Sequence, residues 1–350
     1  MNIDIVEAKE SANEYNKSSS QQGGRIAYLD ALKAFAILLV IEGHVRILGM
    51  GISPYESLSG LMLYSFEIPI FFFVSGYLAF KVSLSFKQLY KSLISKFLLL
   101  VIPAVVFRTV INIIEHNSLL SPLYDGFGKY WFTITLFECF LLYYIIQSSM
   151  KRSAIVNAAL ILFSLAGISL IGKIGIIGPR ILDLGHLSRY FYFFTIGVLA
   201  RKYQPYYEKL IYNQYIRAIV ITGFFLLLLI LDYDIWPKPV FHLLRDVVLR
   251  LLGTLLMVFL FASNEKFFSK SIRFNSIIRE IGRKTLPIYL LQYFFIPSFS
   301  CYSEWIEGLD MLTVHIISFG YTFLITALCL LFIYLLEQSS FIKKTVLQQK

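Results

Sequence analysis

Leu324-Ile325-Thr326-Ala327-Leu328-Cys329-Leu330-Leu331-Phe332-Ile333-Tyr334-Leu335-Leu336 carries no charge and shows no two-residue alternation. In hydrocarbon every backbone N–H and C=O must find a partner within the chain, which leaves helices or a closed barrel. Barrel strands alternate lipid-facing and lumen-facing residues, and this run does not, so it reads as a membrane helix. Phe224-Phe225-Leu226-Leu227-Leu228-Leu229-Ile230-Leu231 reads the same way. Working outward from these two, apolar runs near 20 residues recur along the chain, the length that crosses about 30 Å of hydrocarbon. They predict an all-α, polytopic transmembrane bundle of ten spans, at 26–48, 59–80, 93–114, 130–148, 153–172, 188–203, 216–232, 240–262, 284–301 and 311–336. The composition agrees: the 350 residues are 57% hydrophobic and 15% charged, against about 45–50% and about 25% in soluble domains.

The ends are polar. Residues 1–24, rich in Ser, Asn, Gln and Glu, are expected to form a disordered cytoplasmic tail rather than a cleaved signal peptide. Residues 25–337 form the membrane domain, and 338–350 a second cytoplasmic tail. The net charge of +10 is a topology signal. With both termini inside, the inner connections hold Lys81, Lys87, Lys91, Lys96, Lys151, Arg152, Arg201, Lys202, Lys209 and the run from Lys266 to Lys284. The outer ones hold only Arg46, Lys129, Lys173, Arg180 and Lys238. This is the positive-inside asymmetry, and it makes nucleic acid an unneeded partner. The inner basic loops also suit an anionic ligand or lipid headgroups. Cys139, Cys301 and Cys329 lie in apolar stretches with neither metal-ligand nor disulfide spacing, so no metal is expected.

Ionisable groups inside a span are costly and mark functional candidates. The first span holds the densest set: Arg25, Asp30, Lys33, Glu42 and His44. Lys33 and His44 are eleven positions apart, about 20° past three full turns and about 16 Å along the axis. They therefore share a face, and Asp30 can pair with Lys33. His44 suits a general base acting on a hydroxyl. It is equally an interfacial residue near a helix end, and Asp30–Lys33 equally a topology-setting pair. Glu67, in the second span, falls in the same outer half as His44, where the two can meet or where Glu67 faces water. Trp131 opens the fourth span; Tyr289 and Gln292 sit in the ninth and need hydrogen-bond partners. Arg180, Asp183, His186 and Arg189 cluster in an outer connection, as a sugar or phosphate contact or as solvated loop residues.

Asp30-Ala31-Leu32-Lys33 with His44 resembles the opening signature of the membrane-bound acyltransferase-3 family. Pro69-Ile70-Phe71-Phe72-Phe73-Val74-Ser75-Gly76-Tyr77 resembles its next motif, and Trp131-Phe132 and Leu286-Pro287-Ile288-Tyr289-Leu290-Leu291 are similar to later ones. The fucose 4-O-acetylase-like subgroup is the most similar. The resemblance implies a bacterial inner membrane and transfer of an acetyl group from acetyl-CoA, bound on the cytoplasmic side, to a hydroxyl of a cell-surface glycan or lipid-linked saccharide. It makes His44 the catalytic base, with Lys33, Asp30 and Glu67 beside it. Lys33, Lys91 and Lys96 would meet the acyl-CoA phosphates, and Trp131, Tyr289 and Gln292 would meet the acceptor. Lys33 stands where many members carry arginine, Glu67 and Gln292 where histidines are frequent, and the arginines usual before Pro103 are missing. A multi-pass transporter or flippase would use the same intramembrane charges, but it is expected to show internal repeats and paired broken helices. A glycan polymerase would need a large external loop, and a purely structural membrane protein would not require the acid–base–histidine stripe.

Overall fold

The computed structural model describes residues 26–53, 57–81, 85–119, 122, 126–147, 183–231 and 239–338. Among them every regular element is helical. Both tails and the fifth expected span, 153–172, lie outside the described residues.

Helix α1 (Ala27–His44) is the centre of the bundle: fourteen of its eighteen residues are buried, Asp30 and Glu42 among them. It continues into a π-helical segment, Val45–Met50, and stops at Gly51, whose φ of 76° is a left-handed conformation suited to glycine. A π-turn widens the helix by one residue and re-aims the side chains that follow. Here the change begins immediately after His44.

Helices α2 (Leu58–Tyr64) and α3 (Glu67–Ala79) follow. The two helices are joined by a turn at Ser65–Phe66, which puts Pro69 in the first turn of α3, where its missing N–H has no intrahelical acceptor to lose. Next come α4 (Phe86–Lys96), started by a Ser85/Gln88 capping box, α5 (Ile102–Ile114), α6 (Trp131–Gln147), α7 (Leu184–Lys202), α8 (Gln204–Tyr212), α9 (Gln214–Leu231) and α10 (Pro239–Ser263). The chain then runs through the short α11 (Glu265–Phe268), α12 (Arg273–Arg283), α13 (Thr285–Leu291) and α14 (Ser303–Glu307) to the long α15 (Met311–Glu337).

Among the described residues, five helical stretches are long and apolar enough to cross a membrane: 58–79, 87–114, 128–146, 246–263 and 311–337. The pair α8–α9, bent by 71°, makes a sixth if it is one broken span. Two of the other expected spans, 26–48 and 284–301, fall outside this group for visible reasons. Helix α1 carries Asp30, Lys33 and Glu42, too many charges for a lipid-facing segment. The ninth expected span, 284–301, is not continuous: α13 ends at Leu291, tightens into a 3₁₀ turn at Gln292–Phe294, and stops.

The long helices carry large apolar side chains on their outer faces, as contact with lipid requires. Helix α15 exposes Leu312, Ile316, Phe323, Leu324, Leu331 and Leu335; α9 exposes Ile219, Phe225, Leu226 and Leu229. The buried interior instead holds Glu42, Arg46, Glu67, Glu138, Arg250 and Gln292. Close helix approach depends on glycine. A Cβ at Gly197 would lie 2.0 Å from the Phe73 carbonyl oxygen, and one at Gly76 1.8 Å from that of Phe194, so α3 and α7 touch backbone to backbone. Gly282 does the same against Asp30, docking α12 on the first turn of α1. Lys284 ties the chain near α12 to the end of α15 through Glu337, 3.0 Å away.

Candidate functional site

Lys33, Ile37, Val40 and His44 recur at helical spacing along α1. The first three line a cavity of about 710 Å³. Its walls are largely apolar, with Ile68, Phe71, Leu99, Leu100, Leu136 and Phe140 among them. Four cations, Lys33, Lys81, Lys91 and Lys96, also line it, together with Gln88, Ser92 and Ser95. Phe132 and Tyr289 line it as well. Lys33 pairs with Asp30 at 2.8 Å, as the three-residue spacing predicts. Lys96 lies over the Phe140 ring, 4.4 Å from its centroid. A pocket of several hundred Å³ with apolar walls and a few placed polar groups has the proportions of a small-molecule site.

His44, one step further along the stripe, is held by the 3₁₀ turn that interrupts the ninth expected span. Its Nδ1 lies 3.2 Å from Gln292 Oε1, and its Nε2 3.4 Å from the Tyr293 hydroxyl. Gln292 is buried and its amide nitrogen donates to the Tyr289 carbonyl at 3.2 Å, which turns its oxygen toward the imidazole. Nδ1 therefore carries the proton in the neutral ring. The Tyr293 hydroxyl donates to the Lys129 carbonyl at 2.7 Å, far the shorter of its two contacts, so its oxygen is what faces Nε2. Tyr289 donates to that same carbonyl at 2.7 Å. The resting ring thus keeps its Nε2 lone pair available, and a proton arriving there finds the Tyr293 oxygen as acceptor.

Glu67 does not meet His44: no hydrogen bond or ion pair joins them. Its carboxylate lies on another side of α1, where a Cβ at Gly43 would be 3.5 Å from Oε2. The physical reason is rotation. Gly43 and His44 are successive residues, about 100° apart around the helix, and α3 packs on the Gly43 side. Gln292 is the residue that reaches His44.

Trp131, partly buried at the start of α6, stacks on His186 with ring centroids 3.9 Å apart. The His186 Nδ1 lies 2.6 Å from Asp183 Oδ2, and the Asp183 N–H donates to Glu138 at 2.9 Å. Of the expected outer cluster, Asp183 and His186 are therefore paired, while Arg180 lies outside the described residues. Burial alone would raise the Asp183 carboxyl, but its hydrogen bonds and charge contact with His186 outweigh this and hold it below the usual carboxylate value.

Two features escape the sequence reading. Tyr293, four residues after Tyr289, was signalled only by that spacing. Arg46, expected in a water-exposed connection, is 1% exposed, with its Nε 2.8 Å from Glu42 Oε1. The four-residue spacing to Glu42 was the available signal.

A family model of an acyltransferase domain matches residues 26–337. The chain belongs to the acyltransferase-3 family. It is a helical membrane acyltransferase, with an acyl donor and an acceptor as its two substrates. Comparison with curated proteins and with solved structures returns no match. The match begins at the residue before α1 and ends at the last residue of α15, so it covers the cavity, His44 and the 3₁₀ turn together. Among the described residues no group of His, Cys, Asp and Glu is arranged to hold a metal ion.

Proposed function

We propose that this acyltransferase moves an acetyl group from acetyl-CoA to a hydroxyl of a cell-surface glycan or lipid-linked saccharide, at the inner membrane of a bacterium. The observation that carries the reading is the cavity: cations and apolar walls in one space, on the same α1 stripe that ends at His44. Coenzyme A has the matching character, with several phosphates at one end and a long, thin arm ending in the thioester at the other. Lys33, Lys91 and Lys96 take the phosphates as point charges, where the geometry of the phosphates is less demanding than it would be for a planar guanidinium fork. The arm spans the about 16 Å rise between Lys33 and His44.

In the reaction His44 Nε2 takes the proton of the acceptor hydroxyl as its oxygen attacks the thioester carbonyl. The new C–O bond forms, the C–S bond breaks, and the imidazolium returns the proton to the departing thiolate. Gln292 holds Nδ1–H throughout, and the Tyr293 oxygen receives Nε2–H while the ring is charged. Asp30 fixes the Lys33 side chain. Glu67 stands behind Gly43 and is not a partner of the ring. Tyr289, on the cavity wall next to Phe132, bounds the reacting acyl group. The flat Trp131–His186 stack suits the apolar face of a sugar ring, and the Asp183 carboxylate its hydroxyls.

The test uses protein in nanodiscs with acetyl-CoA labelled in the acetyl group and glycolipids extracted from bacterial membranes. Label in the saccharide, at a rate reduced in Lys33→Ala by a raised KM, supports the reading. Binding of acetyl-CoA that is indifferent to Lys33, Lys91 and Lys96 together would contradict it.

A further inference from the structure

Glu42 and His44 are two residues apart, so about 200° of rotation sets them on nearly opposite faces of α1. On the Glu42 face stands a second constellation. The Ser59 hydroxyl oxygen lies 2.8 Å from Nε2 of His315, and Nδ1 of His315 lies 2.9 Å from Oε1 of Glu42. Hydroxyl, imidazole and carboxylate are thus joined in series through the two ring nitrogens. The three residues come from α2, α15 and α1, with 256 and 273 positions between the bonded pairs. No local turn produces such an alignment.

The neighbours allow one consistent set of bond directions. The Ser57 hydroxyl accepts the Gly60 N–H at 3.0 Å and lies 3.2 Å from the Ser59 hydroxyl. Donation from Ser57 to Ser59 leaves the Ser59 proton for His315 Nε2. The His315 Nδ1–H then goes to Glu42, which is acceptor only. Glu42 is 0% exposed and doubly secured: the Ser318 hydroxyl donates to it at 2.9 Å, and the buried Arg46 guanidinium supplies its countercharge in a 2.8 Å contact that is an ion pair rather than a linear hydrogen bond. Ser59, by contrast, is partly exposed. The accessible member is the hydroxyl and the locked member is the acid. Either contact alone would serve as interhelical glue; the series is what an activated serine needs.

We propose that Ser59, His315 and Glu42 form a second catalytic site, in which Ser59 is acylated by a small-acyl ester or thioester. His315 Nε2 removes the Ser59 proton as Oγ attacks the acyl carbonyl, while Glu42 holds Nδ1–H and balances the imidazolium. An acyl–Oγ bond forms, the ester C–O or thioester C–S bond breaks, and the proton passes from Nε2 to the leaving alcohol or thiol. Water or a second alcohol then discharges the acyl-serine by the reverse proton path. The site is separate from the His44 site and stands whether or not that site uses acetyl-CoA.

The probe is a biotinylated fluorophosphonate, which an activated serine attacks at phosphorus with loss of fluoride. It is applied to the full-length protein in nanodiscs, and the modified peptide is mapped by mass spectrometry. The expected result is labelling of Ser59, absent in Ser59→Ala and at least about 100-fold slower in His315→Gln. Both variants keep the Glu42–Arg46 pair, and Ser59→Cys should retain acylation, read as a thioester formed from p-nitrophenyl acetate. No labelling of Ser59 in folded parent protein, or labelling that His315→Gln leaves at the parent rate, would overturn the proposal.

Discussion

The two faces of α1 at its His44 end hold imidazoles in opposite company. His44 is held by neutral groups, the Gln292 amide and the Tyr293 hydroxyl. His315 sits between a hydroxyl and a buried carboxylate that is itself ion-paired. A base with neutral partners needs an outside hydroxyl to act on, and the cavity-lining stripe of α1 leads toward it. A base with a serine on one nitrogen and a carboxylate on the other carries its own nucleophile. On the two proposals above, one helix would serve two chemistries, with the charged partner kept on one side of it.

The comparison breaks most completely at the scaffold. Gly197→Val drives a side chain into the Phe73 carbonyl, 2.0 Å from the new Cβ position. It should cost on the order of 3 kcal/mol or more. Acyl transfer and serine labelling should fall together, with a lower unfolding temperature in detergent. Gln292→Leu, in contrast, touches one face only. It frees Nδ1 of His44 and should lower kcat for acyl transfer about 100-fold, while fluorophosphonate labelling of Ser59 continues at the parent rate. Partial recovery in Gln292→Asn would identify orientation of the ring as the cause.

A smaller effect separates binding from chemistry. Lys33→Ala should raise KM for acetyl-CoA about tenfold with kcat nearly unchanged, because one charge-assisted contact to a phosphate is lost. The difference from the parent should shrink as salt is added. Smallest is a pH effect at the Trp131 side. The Asp183 carboxyl is held below its ordinary 3.8 by His186, so its stabilisation is fully present above that value and is lost as pH falls through the lower, folded one. Thermal unfolding of the parent should therefore lose more on acidification than that of Asp183→Asn, which lacks the contact at every pH.

Helix-based inference reached as far as single helices reach. The run at 324–336 fixed the class, since an uncharged, non-alternating segment has one stable form in lipid, and α15 carries it. Lys33 and His44 could be placed on one stripe, and Asp30 paired with Lys33, because helical geometry relates residues a few turns apart. Contacts between helices were not legible. Depth alone left Glu67 either meeting His44 or facing water; depth says nothing about rotation, and Gln292 is what reaches His44. His315 lay in plain view as an ionisable residue inside the last span, but its partner Ser59 is 256 positions away and an isolated serine in a membrane protein carries no signal. The π-segment after His44 was also invisible, since nothing in the run Val45–Met50 distinguishes a π-turn from an α-helix.

The central claim is that His44 performs the proton transfer in acyl transfer. The direct test compares the parent with His44→Ala in nanodiscs, given acetyl-labelled acetyl-CoA and extracted glycolipids, with matched unfolding temperatures and matched acetyl-CoA affinity. The account predicts label in the saccharide from the parent and a loss of about 1,000-fold in His44→Ala. Transfer by His44→Ala at the parent rate would contradict it.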